Sequence, residues 1–524
     1  MAMRVGDLDA PLLQLTPWDH FTLRDACQGV CILGGTGSGK TSGSGKALAL
    51  SYLKAGFGGI VLCAKPEEAA LWRSYCAAAG RTSSLIEWDG TNGGYNFIAA
   101  ELARQGGEGL STVVECVMRI LEMAKNASPM PTRPGEAFFE DAIRQVLRNS
   151  IPVLYAAFGQ VRIADLLAFA RSAPRSREEM ANADWQRDAD FCRVFAMAAP
   201  RMSDELGARI VAYWREDFAA LDPKTRGNIV ISLTTALDRF QHGWLANAFC
   251  GATSILPELT FSGAVIVLNM PALTRNEDGI IAQQLFKYMW QRAVLARNDL
   301  APQHRERPVF LWADEAQYFV NSFDASYLST CRGSRACTVY LSQNLPTYYA
   351  KVGGERGNHE VDQLLGNFGT RVWHNNACPV TNEAAAKILG RKLHARQNWS
   401  EGQGTSQNFG MNMGEGENWG TSSQSGGSSS WSRQGGGSSG SSWSGGSSSG
   451  GSDQWGRNRG HGTSSNTSHG GSEQMDWVLE PGAFSRGLLT GGPAHRNRVS
   501  AVWYQAGRTF HATATNAMVL EFEQ

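Results

Sequence analysis

Short apolar runs rich in β-branched residues recur through residues 26–400, at 29–33, 59–63, 84–88, 264–268, 309–312 and 337–341. Most are apolar at every position rather than alternating. That is the pattern of strands covered on both faces of a parallel sheet. Helix-period stretches separate most of the runs, so the chain is predicted to be α/β with crossover connections. The alternation breaks between about 110 and 218, where helical periodicity runs on with almost no strand signal. Counting from Phe138, apolar residues stand at i, i+1, i+4, i+5, i+8 and i+9, one face of an amphipathic helix. The pattern predicts an all-α domain at 110–225, inserted between two parts of an α/β core at 1–109 and 226–398.

A third pattern occupies 399–472, which is dominated by Gly and Ser with few aliphatics. Such a segment buries too little surface to offset chain entropy and is predicted to be a disordered linker. Within it Trp419, Trp431, Trp443 and Trp455 recur every 12 residues. They read as spaced aromatic stickers. A segment that captures single-stranded nucleic acid or a partner by aromatic stacking is the alternative, although only Arg433, Arg457 and Arg459 accompany the tryptophans. Structure is expected to resume at 473–524, with closing strands at 498–504 and 509–513.

Composition narrows the class. The 524 residues include 48 Lys+Arg and 48 Asp+Glu, so no global positive field draws the chain to nucleic acid. A local basic lining stays open. The ten cysteines include no CxxC pair, which argues against a zinc site or disulfide framework and for reduced thiols. Residues 1–19 hold one basic residue and no apolar block of signal-peptide type. No window approaches 18 consecutive apolar residues, so a cytoplasmic protein without a membrane anchor is expected.

The chemistry-bearing residues begin after the first of the apolar runs. Gly34, Gly35, Thr36, Gly37, Ser38, Gly39, Lys40 and Thr41 satisfy GxxxxGK[ST] at every fixed position, between a predicted strand and a predicted helix. Glycines let backbone N–H groups turn around phosphates, and the helix N-terminus adds its positive end. Lys40 would reach the β- and γ-phosphates of ATP, and the Thr41 hydroxyl would ligate Mg²⁺. Residues 42–46 echo the loop without repeating it, since Lys40 and Ala47 stand where a second copy needs Gly and Ser or Thr. Gly43 and Gly45 should each weaken the following helix by about 1 kcal/mol relative to Ala.

The run at 309–312 leads to Asp314 and Glu315, two carboxylates at the carboxyl end of a strand, where ligands bind in open α/β sheets. Asp314 would hold Mg²⁺ and Glu315 would polarise the attacking water. A solvated acidic loop is the bland alternative. The run at 337–341 ends in Ser342, Gln343 and Asn344. Gln343 could orient water beside the γ-phosphate or cap a helix. Arg332 and Arg335 precede the same strand, and either could serve a neighbouring subunit as an arginine finger or be an ordinary surface residue.

The order of phosphate loop, helical insertion, Asp-Glu strand, Arg and Gln resembles the type IV coupling proteins of the TraG/TraD kind, within the FtsK/HerA group of ring-forming DNA motors. Lys65-Pro66-Glu67-Glu68, Tyr95-Asn96-Phe97, 365–370, 388–390 and 481–510 match further family elements in order. The resemblance implies a RecA-like P-loop NTPase core with a mostly parallel sheet. It also implies a homohexamer with ATP between subunits and DNA in a central channel. By its distance before Gln343, Arg332 matches the family's arginine finger better than Arg335 does. The helical domain would meet relaxosome or secretion-system proteins. Two features depart from the family. The phosphate loop begins after 33 residues with no membrane helix before it, and the Gly/Ser/Trp segment would protrude as a tether. Two other functions compete: an ATP-switched adaptor recruiting protein substrates to a secretion system, and the ATPase module of a defence or packaging system.

Overall fold

A computed structural model describes residues 7–105, 109–127, 136–352, 357–410 and 458–524. The chain divides into two compact units, one of 1–383 with 481–524 and one of 384–480.

In the first unit, a hairpin of β1 (Pro11–Gln14) and β2 (His20–Thr22) leads to β3 (Val30–Leu33), β4 (Gly58–Leu62) and β5 (Leu85–Trp88). After a long helical stretch come β6 (Val265–Leu268), β7 (Val309–Ala313), β8 (Ala336–Ser342) and β9 (Thr370–Trp373). β12 (Arg498–Gln505) and β13 (Ala517–Glu523) close the unit. Nine of these strands form one sheet in the order β13-β12-β9-β3-β8-β7-β4-β6-β5. From β9 to β5 every pairing is parallel, while β12 runs antiparallel to both β9 and β13. The fold is thus the expected RecA-like α/β core. β3, β4, β6, β7 and β8 are buried at every residue, which is why their sequences carry no charge and, apart from Thr338 and Ser342 in β8, no polar side chain. Edge strand β5 is more open, and Glu87 on it is exposed.

No strand falls between Trp88 and Val265 among the described residues, and helices run from Phe97 to Cys250. The helical stretch is therefore longer at both ends than 110–225. Phe169, Phe191, Trp214 and Phe218 build an aromatic cluster in it, with ring centroids 4.7 to 5.6 Å apart in the contacting pairs. Among the described residues no single helix is long and apolar enough to cross a membrane.

The predicted strand at 509–513 is corrected. It is a turn, with Phe510 N donating to Thr515 O at 2.8 Å and Ala514 N to Phe510 O at 2.9 Å. The threonines that suggested a strand serve the turn instead, since Thr513 and Thr515 hydroxyls both donate to Ala517 O at 2.9 Å. The closing strand comes later, where Met518, Leu520 and Phe522 alternate with more exposed neighbours. β9 and the β1–β2 hairpin are also additions to the predicted set.

The second unit contains an antiparallel ribbon of β10 (Arg391–Gly410) and β11 (Asn458–Trp477), in unbroken register from Arg391↔Trp477 to Gly410↔Asn458. Twenty residues per strand give a length of about 65 Å. The ribbon takes in 399–410 and 458–472, both ends of the predicted linker. The stretch 411–457, with Trp419, Trp431, Trp443 and Trp455, lies outside the described residues.

Candidate nucleotide-binding site

β3, β8, β7 and β4 are neighbours in the sheet, so four loops meet at their carboxyl ends. The loop after β3 is the glycine-rich segment. Gly37 and Gly39 have φ of 73° and 81°, the left-handed region that glycine enters without penalty. Gly39 is doubly constrained, because a Cβ there would lie 2.6 Å from the Val499 side chain.

The loop does not pass straight into an α-helix. Thr41–Gly45 forms a single wide turn in which Gly45 N donates to Lys40 O at 2.8 Å, five residues back. A Cβ on Gly45 would sit 2.8 Å from that same carbonyl oxygen, so glycine is what lets the turn close. The α-helix follows at Lys46–Lys54. Sequence reasoning counted Gly43 and Gly45 as helix-weakening; in the structure they build the turn that precedes the helix.

Lys40 is buried, and its Nζ donates to Gly34 O at 2.7 Å and Gly35 O at 3.2 Å. Burial pulls its pKa below the ordinary lysine value, against the charges of Asp314 and Glu315. Thr41 Oγ1 donates to Asp314 Oδ2 at 2.6 Å. Glu315 N donates to Asp314 Oδ1 at 2.9 Å. The phosphate loop and the acidic strand end are thus joined directly.

Glu315 carries the densest wiring. Its Oε1 accepts from Lys65 Nζ at 3.0 Å and Gln343 Nε2 at 3.3 Å, and its Oε2 accepts from Gln317 Nε2 at 3.0 Å. Gln317 is oriented in turn by the Ser342 hydroxyl, 2.7 Å from its Oε1. Burial pushes the Glu315 carboxyl up, but the bonds from Gln317 and Lys65, the Lys65 charge and the Gln343 bond outweigh it. The result is a carboxylate below the usual glutamate range. Its backbone is strained, at φ 48° and ψ 47°, a conformation that persists only where surrounding structure holds it.

Several residues around the site were not assigned to it from sequence, among them Gln317, Lys65 and His374. Lys65 follows β4 and points at Glu315; a lysine just before Pro66, at a strand's carboxyl end, was the available signal. His374 had none. It follows β9, is fully buried, and its Nε2 lies 2.7 Å from Ser44 Oγ within the wide turn. Burial and the nearby Lys40 charge hold its pKa down to about 3, so the ring is neutral. Glu68 lies close by, accepting from Ala64 N at 2.9 Å. Burial and the Asp314 charge raise it to about 9, so it adds no negative charge to those of Asp314 and Glu315 at neutral pH.

A cleft of about 470 Å³ opens here, lined by Thr36–Ser42 with Lys46, Lys65, Tyr75, Asp314, Glu315 and Gln343. That is within the range of small-molecule sites. The residues fit a nucleotide with Mg²⁺. A buried ammonium held by two neutral carbonyls favours an anion, and a hydroxyl beside one carboxylate suits a cation that keeps waters and phosphate oxygens as its other ligands.

Arg332 is not brought to this cleft. It is exposed in the short turn Cys331–Ser334 before β8, whereas Gln343 follows that strand's far end. Seven strand residues separate them by about 23 Å. Arg335 is tied down, its Nη1 donating to Glu306 O at 2.9 Å.

No protein-family model and no curated protein matches the chain. Solved structures do. The bacterial conjugative coupling protein TrwBdeltaN70, in its unbound monoclinic form, aligns with a TM-score of 0.53 at 13% identity, over 95% of this chain and 85% of that one. Plasmid coupling protein TrwB in complex with ADP and Mg²⁺ aligns at 0.46, with 14% identity over 71% and 76% of the two chains. VirB4 of Thermoanaerobacter pseudethanolicus aligns at 0.39, with 14% identity over 69% and 80%. The last two scores are below 0.5 and carry no argument. By fold, this chain resembles the conjugative coupling proteins.

Proposed function

We propose that this chain is an ATP hydrolase that moves or recruits DNA, working as a homohexameric ring of the coupling-protein kind. The observation that carries the reading is the Glu315 carboxylate, ionised and triply hydrogen-bonded, beside the joined pair of Thr41 and Asp314. In this mechanism the N–H groups of Gly34–Thr41 cradle the phosphates and Lys40 neutralises their charge. Thr41 and Asp314 would hold Mg²⁺, which when bound would offset charge on the phosphates. Glu315 orients the attacking water and accepts its proton. Lys65 and Gln317 keep that carboxylate ionised and aimed, and Gln343 lies where it can orient water and report nucleotide state. Arg332 completes the site of a neighbouring subunit; its exposure at the opposite end of β8 supports that role. Relaxosome or secretion-system proteins are the expected partners and the cytoplasm the expected compartment.

The decisive experiment measures ATP turnover with no DNA, single-stranded DNA and double-stranded DNA, with particle mass read in the same buffers. Stimulation by DNA together with a six-subunit mass is the expected result, and Lys40→Ala should abolish nucleotide binding. Turnover indifferent to DNA would favour an ATP-switched adaptor for protein substrates. Hydrolysis retained by Lys40→Ala would sink the site itself.

A further inference from the structure

The helix Ala272–Ala296 leaves helical geometry once, at Asn276 with φ 51°, and is regular afterwards. Nearly all of it beyond Gly279 is buried, yet Gln283, Gln284, Lys287 and Gln291 all lie inside. Polar side chains inside a packed core are costly unless they are hydrogen-bonded. Here Gln283, Gln284 and Lys287 grip the backbone of segments that follow β4 and Glu315, and Lys287 and Gln291 grip the Asp324 carboxylate. Gln283 exchanges hydrogen bonds with Cys63, its Oε1 accepting from Cys63 N at 2.7 Å and its Nε2 donating to Cys63 O at 3.0 Å. Cys63 is two residues from Lys65. Gln284 Nε2 donates to Tyr318 O at 3.1 Å and Val320 O at 3.3 Å. Lys287 Nζ donates to Phe319 O at 2.6 Å. Three successive carbonyls of the loop after Glu315 are therefore held by one helix.

The same Lys287 pairs with Asp324 at 2.5 Å, with both side chains almost fully buried. Asp324 also accepts from Gln291 Nε2 at 2.7 Å and from Asn321 N at 2.9 Å. It sits in the first turn of the helix Phe323–Thr330, which runs directly into the Cys331–Ser334 turn bearing Arg332. At the far end of the long helix, Arg297 donates to Ser334 O in that turn. Glu315 follows β7 and Arg332 precedes β8, at opposite edges of the sheet, but each is anchored to the same helix.

We infer that Lys287 and Asp324 are positioning residues that form one joint between this subunit's Glu315 loop and the turn presenting Arg332 to the next subunit. Coupling consecutive sites through this joint rests on the ring reading above; the joint itself does not. Glu315 needs an external hold for its left-handed backbone, and the stapled carbonyls provide it. A shift of the Glu315 loop pulls on Asp324, and the Phe323–Thr330 helix carries that pull to Arg332.

The test compares Lys287→Met/Asp324→Leu, and separately Asp324→Asn, with the wild-type chain. Replacing a buried ion pair by an apolar pair of similar volume is often neutral for stability. The double variant also leaves Phe319 O, Gln291 Nε2 and Asn321 N without their partners, so it should melt a few degrees below wild type yet bind ATP with unchanged Kd, while kcat falls about 100-fold from misplacement of Glu315. Amide hydrogen exchange supplies a readout that needs no hydrolysis. Segments 316–321 and 331–334 should both exchange faster in the double variant, with 34–41 unchanged. Loosening of only one of the two segments, or kcat within threefold of wild type, would overturn the joint. Should the double variant fail to fold, Asp324→Asn, which keeps the volume and an acceptor for Gln291 and Asn321 but leaves the Lys287 ammonium without its counter-charge, must still show the paired loosening. A wild-type chain that binds ATP but never hydrolyses it would defeat the motor reading and leave the exchange result to decide the joint.

Discussion

The two ends of strand β8 face different chemistry. Beyond its carboxyl end, Gln343 lies among Glu315, Lys65 and Gln317, all within hydrogen-bonding distance of one carboxylate. Before its amino end, the exposed Arg332 side chain makes no hydrogen bond or ion pair among the described residues, while Arg335, in the same turn region, is tied to Glu306. One end is a half-site assembled within a single chain. The other is a cation held on a short turn with nothing of its own to act on. Parallel strands enforce this separation, because every carboxyl end faces one edge of the sheet and every amino end the other. A residue on the amino side can serve nucleotide chemistry only if another subunit brings a carboxyl edge to it.

The largest effect tests that division directly. Arg332→Ala should lower DNA-stimulated turnover by about 10³–10⁵, while leaving nucleotide binding intact. Mixed rings of Arg332→Ala and Glu315→Gln subunits should recover part of the activity, since some interfaces then pair an intact Arg332 with an intact Glu315. Mixed rings of the right mass with no recovery would remove the trans-acting role. Arg335→Ala should instead act through stability, because its guanidinium is engaged with Glu306.

A somewhat smaller effect belongs to the carboxyl end. Glu315→Gln should bind ATP and turn it over about 10²–10⁴-fold more slowly. Comparable turnover would deprive Glu315 of its role as base. Lys65→Met should follow in the same direction but less steeply, since it removes one of the three bonds and the charge that hold the carboxylate ionised.

This division was partly legible in the sequence. The phosphate loop, Asp314, Glu315 and Gln343 were readable because each follows an apolar run whose end can be located from composition alone. Six of the strands were readable for the same reason. β9 was harder to see: Thr370–Trp373 is short and contains Arg371. The 509–513 error came from threonine, which fits strands and turns alike. Lys65 could have been proposed from position, but its pairing with Glu315 depends on β4 and β7 being neighbours, which strand order decides and local pattern does not. The wide turn at Thr41–Gly45 was hidden because glycine spacing alone does not distinguish a weak helix start from a turn that requires glycine.

His374 yields the smallest and most specific prediction, and it probes how the carboxyl-end half-site is supported from beneath. The ring packs under the phosphate loop so closely that a Cβ on Gly34 would lie 2.6 Å from its own Cβ. Its Nε2 braces Ser44, and its backbone N donates to Leu33 O at 2.8 Å. With a folded pKa of about 3 against an ordinary 6.5, the unfolded chain binds a proton between those values that the folded chain does not. Stability from this group is therefore complete above about pH 6.5 and drains away as pH falls toward 3. His374→Asn removes the titration and weakens the brace, so it should cost about 1 kcal/mol at neutral pH. Its Tm should also decline less steeply than wild type between about pH 6.5 and pH 4. Parallel Tm curves would mean that the imidazole is not held neutral under the loop. The phosphate loop would then rest on its other neighbours, Val499 beside Gly39 and the Asn375 carbonyl that accepts from Gly35 N at 2.8 Å, rather than on a neutral imidazole.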